Sequence, residues 1–280
     1  MKRSFVAAAA ATLAFAFAAH AQTLADVKKR GTLRLGYSET SVPFSFKSPE
    51  GPPAGYSVEL CQRIAADVAT KAGSAVKVEW VPLTPATRLD AVASGKVDLE
   101  CGTTTITLGR REKVEFSLPI FVDAATVMSR KSAATSLAEL QGKKVAAAAG
   151  TTTLPALERA LSRRFIKAEV VKTKTVAEGF EMLKAGQVDA LASDRTALVG
   201  TFLQAGGAEG LGVFGEDLSY EPYALVMRKG DPEFRLLVDR VLAQIYRTGD
   251  IEAIYSRWLG PLGTPSVGLM GMYLLNSLPE

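Results

Sequence analysis

The chain has 280 residues, 48% of them hydrophobic, with a formal net charge of +4 and a single histidine, His20. That balance provides no basic field for nucleic acid. His20 falls in a segment expected to be removed, so Ser-His and Cys-His triads and histidine-based zinc sites are excluded as well.

Lys2 and Arg3 open the chain, an apolar run follows from Phe5 to Ala19, and Ala19-His20-Ala21 has the small-x-small pattern of a signal-peptide cleavage site. The run is shorter than the roughly 20 residues of a spanning helix. Cleavage after Ala21 would make Gln22 the first residue. No Cys follows to carry a lipid. Losing Lys2 and Arg3 takes the charge from +4 to +2. No later segment reads as a span, so an exported, soluble, periplasmic protein of 280 − 21 = 259 residues is expected.

Strands and helices then alternate, the mark of an α/β fold. Thr32–Gly36 alternates as a strand. Val58, Cys61, Ile64, Ala65 and Val68 lie at helical spacing within Ser57–Ala72, which Gly73 ends. Val76–Val81 reads as a strand, Arg88–Ser94 as a helix and Val97–Cys101 as a strand that ends in a hydroxyl-rich turn, Thr103-Thr104-Thr105. The theme restarts with a strand at Lys144–Ala149, Gly150-Thr151-Thr152-Thr153, and a helix with Pro155 near its first turn. Glu169–Lys172 is a strand, Val176–Lys184 a helix and Val188–Ser193 a strand. Helices at Asp231–Gly249 and Asp250–Leu259 close the pattern, and the short apolar stretch Met270–Leu278 reads as packing.

Ala93-Ser94-Gly95-Lys96-Val97-Asp98 is echoed by Lys184-Ala185-Gly186-Gln187-Val188-Asp189, with the glycines 91 positions apart. The echo suggests two lobes of like topology. Cys61 and Cys101 either pair or sit as two small buried apolar side chains.

Three strand ends carry the chemistry. After Thr105 the chain supplies Arg110, whose guanidinium suits a carboxylate. Gly150-Thr151-Thr152-Thr153 offers N–H groups at a helix start, which attract anions. Ser193-Asp194-Arg195-Thr196 offers an acid, fit for an ammonium or for capping the next helix. Ligands of open α/β sheets bind beyond the carboxyl ends of strands.

The stretches Glu39–Ser45, Gly55-Tyr56-Ser57, Val97–Thr104, Phe116-Ser117, Phe121-Val122 and Gly150-Thr151-Thr152 together resemble the polar amino-acid substrate-binding proteins of ABC transporters (solute-binding protein family 3), nearest the glutamate/aspartate branch. The resemblance implies a type II periplasmic-binding fold, two α/β lobes joined by a two-strand hinge with the ligand cleft between them. Residues 1–21 would be the signal peptide, 22–122 the first part of lobe one, 123–222 lobe two and 223–280 the return to lobe one. The crossings are expected near Phe121–Ala125 and Glu221–Leu225.

It further implies that Arg110 clamps the ligand α-carboxylate with Thr105 and the backbone at Thr151 or Thr152. Asp194 would take the α-ammonium with Thr103 assisting, while Ser38 and Arg88 face the ligand side chain. Glutamate binders of this type carry Arg where Ser38 stands, Ser for Pro85 and His for Val176, which leaves an acidic ligand through Arg88 and glutamine, asparagine or another polar amino acid both open. The partners expected are the amino acid and the membrane permease of an ABC importer; the chain itself is expected to be a monomer without cofactor, metal or catalytic residue. The alternatives are an enzyme on the same fold, such as a dehydratase using Glu39 or Glu100, and a ligand-sensing module.

Overall fold

The structure, a computed structural model, describes residues 22–49, 51–207 and 209–280. The expected leader at 1–21 lies outside them. The first half runs α1 (Thr23–Arg30), β1 (Thr32–Ser38), a small hairpin β2 (Thr40–Ser41) and β3 (Ser45–Phe46), α2 (Tyr56–Ala72), β4 (Lys77–Leu83), α3 (Arg88–Ala93), β5 (Leu99–Thr105), α4 (Leu108–Arg111) and the long β6 (Val114–Arg130). The second half runs β7 (Lys144–Ala148), α5 (Thr153–Arg163), β8 (Glu169–Thr173), α6 (Val176–Lys184), β9 (Ala190–Asp194), α7 (Arg195–Gln204), β10 (Leu211–Val213), β11 (Ser219–Arg228), α8 (Pro232–Thr248), α9 (Asp250–Leu259) and α10 (Val267–Leu275).

Nine strands form one sheet in the order β4-β1-β5-β11-β6-β9-β7-β8, with β10 also on β6. Two parallel triplets flank the antiparallel pair β11 and β6. The pair changes partners midway: β11 joins β5 over Tyr223–Met227, whereas β6 joins β9 over Ala125–Ser129. Each triplet has a core on both faces. In the first lobe Leu33, Leu35, Leu60 and Phe234 fill one face and Val92, Phe116 and Val226 the other. In the second, Val145, Leu157 and Phe214 are opposed by Phe180, Leu191 and Leu198.

The sequence echo has a structural cause. Asp98 donates its N–H to Arg34 O and accepts the Arg34 N–H on Oδ2, both at 2.8 Å. Asp189 makes the same reciprocal clamp with Lys144, again at 2.8 Å for both bonds. One short motif thus fastens the third strand of each triplet to its central strand.

Two expectations change. The expected turn at Thr103–Thr105 is strand: β5 runs to Thr105 because β-branched residues fit a paired, pleated backbone and β11 covers them, with Tyr223 opposite Thr105 and Ala224 opposite Thr104. The chain turns only at Ile106-Thr107. Helix α1 was not anticipated. It is held by tertiary bonds, Thr23 N–H to Asp231 Oδ2 at 2.7 Å and Arg228 to Thr23 Oγ1 at 3.0 Å.

Of the two readings of the cysteines, the bond is the one observed: Cys61 of α2 is joined to Cys101 of β5 across 40 residues of chain. Both are fully buried in the first-lobe core. Replacing both with Ser is expected to lower unfolding stability by about 2–4 kcal/mol, through the lost constraint on the unfolded chain. Ligand affinity should stay within about twofold. Denaturant unfolding and calorimetry on the double variant check both parts.

Candidate functional site

The sequence-derived site residues gather where β5, β7, β9 and β11 end or cross, in three groups. The first surrounds Arg110. Thr107 caps α4, its hydroxyl accepting the Arg110 N–H at 3.1 Å, which fixes the backbone beneath the arginine. The guanidinium donates to Thr105 O at 2.8 Å on the first lobe and to Gly150 O at 3.1 Å on the second. Burial pulls Arg110 down to about 10, Arg88 adds to the drop, and Glu221, Glu100 and Asp194 oppose it. A buried cation in this state is ready to gain an anion.

Glu221, on β11, lies between the lobes. Its Oε2 accepts from Thr105 Oγ1 and from Thr152 Oγ1, each at 2.6 Å, and the two hydroxyls are 3.2 Å apart. The lobes are therefore closed on each other here. Gly150 explains how they come so close: it holds φ +80°, and a Cβ there would stand 2.7 Å from Ala86 Cα and Pro85 O. The Thr151 hydroxyl is occupied locally, donating to Ala148 O at 2.7 Å.

The second group surrounds Asp194, the last residue of β9. It stands at the N-cap position of α7 but makes no capping bond. Its carboxylate instead accepts from Thr153 Oγ1 at 2.9 Å and from Tyr223 OH. Tyr223 also donates to Asp123 Oδ2 at 3.3 Å. Burial pushes Asp194 up to about 7, with Asp123 and Glu221 adding to the rise and Tyr223 and Thr153 opposing it. Asp123 is raised by burial too. An acid cluster enclosed like this favours a cation in its midst.

The third group lines a small pocket of the first lobe, where Ser38, Ser41, Thr84, Thr103, Arg88 and Glu100 meet. Ser38 Oγ is 2.7 Å from Ser41 Oγ. Arg88 is 7% exposed, and its Nε has no hydrogen-bond partner. Glu100 is 3% exposed and accepts from Thr104 Oγ1 at 2.8 Å. Burial raises Glu100, opposed chiefly by Arg88. Thr103 thus stands with Ser38 and Arg88 in this pocket. Glu39, the other carboxylate weighed for catalysis, is exposed. Two roomier depressions, lined by residues such as Leu24, Asp67 and Arg240 or Gln22 and Pro232, contain none of these groups.

Sequence reasoning missed Glu221, Tyr223, Asp123 and the pocket role of Glu100. Glu221 left a signal, as the one acid inside an otherwise apolar strand, Ser219–Met227. Tyr223 and Asp123 left none, because their role depends on the pairing of β6 with β11.

Two lobes on a shared pair of strands, with the Arg110 cation and the Asp194 acid near enough to act on each other where the lobes meet, match the type II periplasmic-binding fold. The model of the bacterial extracellular solute-binding proteins, family 3, matches residues 33–261, and the chain belongs to that family. The L-glutamate/L-aspartate-binding protein of Pseudomonas aeruginosa is 33% identical over 84% of this chain and 79% of its own. An ancestral arginine-binding protein, solved bound to glutamine, superposes with a TM-score of 0.73 at 32% identity, covering 82% of this chain and 99% of its own. An ancestral amino acid-binding protein, a precursor of cyclohexadienyl dehydratase, gives 0.71 at 31% identity over 84% and 99%.

Proposed function

We propose that the protein captures a free polar L-amino acid between its lobes and delivers it to the membrane permease of an ABC importer. The observation that carries this reading is the nearness of opposite charges where the lobes meet, Arg110 reaching across both lobes and Asp194, enclosed with Asp123 and Tyr223, among the acids that act on it. Arg110 suits an α-carboxylate, because a guanidinium presents two donors in the carboxylate plane, and the Thr105 and Thr152 hydroxyls, which donate to Glu221 in this structure, would turn from it to join the carboxylate. Thr151 would contribute its backbone N–H. Asp194 suits the α-ammonium, and Ser38, Thr103 and Arg88 are left to meet the side chain.

The curated relatives are binding proteins, which supports capture over catalysis. Of the two carboxylates weighed for it, Glu39 is exposed and Glu100 is occupied by Thr104 beside Arg88. General acid–base work needs a group within reach of a substrate proton. A thermal-shift screen against the common amino acids tests the function. Tight ligands should raise the melting temperature by mass action, and no response to any amino acid would refute the reading.

Export with cleavage after Ala21 belongs to the same proposal, and envelope extracts should yield an N-terminal peptide beginning at Gln22. The proposed hinge is the pair of crossings near Phe121–Ala125 and Glu221–Leu225, and the change of partners along β6 and β11 supports it. Protein stripped of ligand should open there, because the cross-lobe bonds of Arg110, Thr105 and Thr152 are few and polar. Small-angle scattering should show the radius of gyration fall on adding ligand, at the mass of one chain. Superimposable curves would mean a rigid site.

A further inference from the structure

The side-chain pocket contains two buried ionisable groups of opposite kind, the Arg88 guanidinium and the Glu100 carboxyl, whose charged form Arg88, Thr104 and Arg110 favour against burial. Arg88 and Glu100 are 7% and 3% exposed and line the same small space with Ser38, Thr84 and Thr103. Arg88 Nε lacks a partner, so the guanidinium has bonding capacity to offer. Glu100 uses Oε2 for Thr104, while its Oε1 lies against Gly102, only 2.2 Å from where a Cβ on that glycine would stand. Gly102 lines the pocket as well, and any larger residue there would displace the carboxylate.

A zwitterion engages Arg110 and Asp194 through its backbone groups. What remains for the ligand side chain is one cation and one anion, summing to zero. A carboxylate side chain would satisfy Arg88 but bring a like charge beside buried Glu100, which is costly. An ammonium or guanidinium side chain would meet Arg88 in the same way. A primary carboxamide has both an acceptor, for Arg88, and a donor, for Glu100, and leaves neither buried group unpaired. From this geometry we infer that the pocket selects a carboxamide side chain over a carboxylate one, and that Glu100 sets the preference. The inference rests on the amino-acid reading above and sharpens it.

Specificity is a difference of affinities, and it is tested as one. Calorimetry on the wild-type protein should show L-glutamine or L-asparagine binding at least about tenfold tighter than the matching acid, the gap expected from about 1.4 kcal/mol of like-charge cost. In Glu100→Gln, whose folding is checked by circular dichroism, that ratio should shrink or invert. A wild-type preference for glutamate or aspartate overturns the inference while leaving amino-acid capture standing, and so does an unchanged ratio in folded Glu100→Gln. Should the variant not fold, the wild-type ratio decides alone. Binding of no amino acid at all would instead defeat the capture reading itself.

Discussion

Arg110→Ala and Asp194→Ala are each expected to weaken amino-acid binding by about 30-fold or more. Both side chains stand in surroundings that penalise an unpaired charge. Arg110 is pulled down to about 10 and Asp194 pushed up to about 7, in each case chiefly by burial. Removing one partner of a buried charge pair leaves the ligand group desolvated and unmatched, at roughly 2–5 kcal/mol. At about 1.4 kcal/mol per tenfold, the lower bound is near 30-fold. The two effects should differ in kind. Arg110 also ties Thr105 to Gly150 across the cleft, so its loss should raise the radius of gyration of ligand-bound protein. Asp194 bonds Thr153 and Tyr223, and its loss should leave closure intact once ligand is bound at higher concentration. Full affinity in Arg110→Ala would show that the carboxylate binds elsewhere.

Affinity should rise with pH and level off above about 7. An ammonium is best held by an ionised carboxylate, and the Asp194 carboxyl, beside Asp123 and Glu221, keeps its proton until about pH 7. Below that, each pH unit should cost up to about tenfold in affinity, because the acid must lose a proton when the ligand binds. The sign for stability is opposite. A carboxyl raised above the ordinary aspartate value of 3.8 binds its proton more tightly in the folded state. Ligand-free protein should therefore lose stability as pH climbs from about 4 to 7, and change little beyond. Because Asp123 and Asp194 share Tyr223, the titration belongs to the pair. Asp194→Asn should flatten the affinity profile between pH 5 and 8. A profile that stays steep in this variant would locate the proton elsewhere.

Much of this site could be read from the chain because its residues sit at strand ends, and strand ends follow from alternation and glycine. Asp98 and Asp189 were visible as an echo, and their equal clamps on Arg34 and Lys144 are what the echo encodes. Arg110 and Asp194 were legible for the same reason, the first five residues past the end of β5 and the second at the last position of β9. The threonines were only half legible: Thr103–Thr105 reads as a turn until β11 arrives to pair with it, which is tertiary context overriding a local signal. Glu221 and Tyr223 depend on that same crossing strand. Glu100 was read as a catalytic alternative, and only the three-dimensional pocket places it beside Arg88, where its charge bears on specificity.

Calorimetry followed by recovery of the ligand decides whether this chain carries an amino acid and leaves it unchanged. The protein is unfolded, dialysed free of bound solute, refolded and titrated with the amino acids that raise its melting temperature. One polar L-amino acid should bind with a stoichiometry of one per chain, and mass spectrometry should recover it intact after prolonged incubation. Absence of binding by every amino acid, or conversion of the bound one into a product, would show that the chain is not an amino-acid carrier.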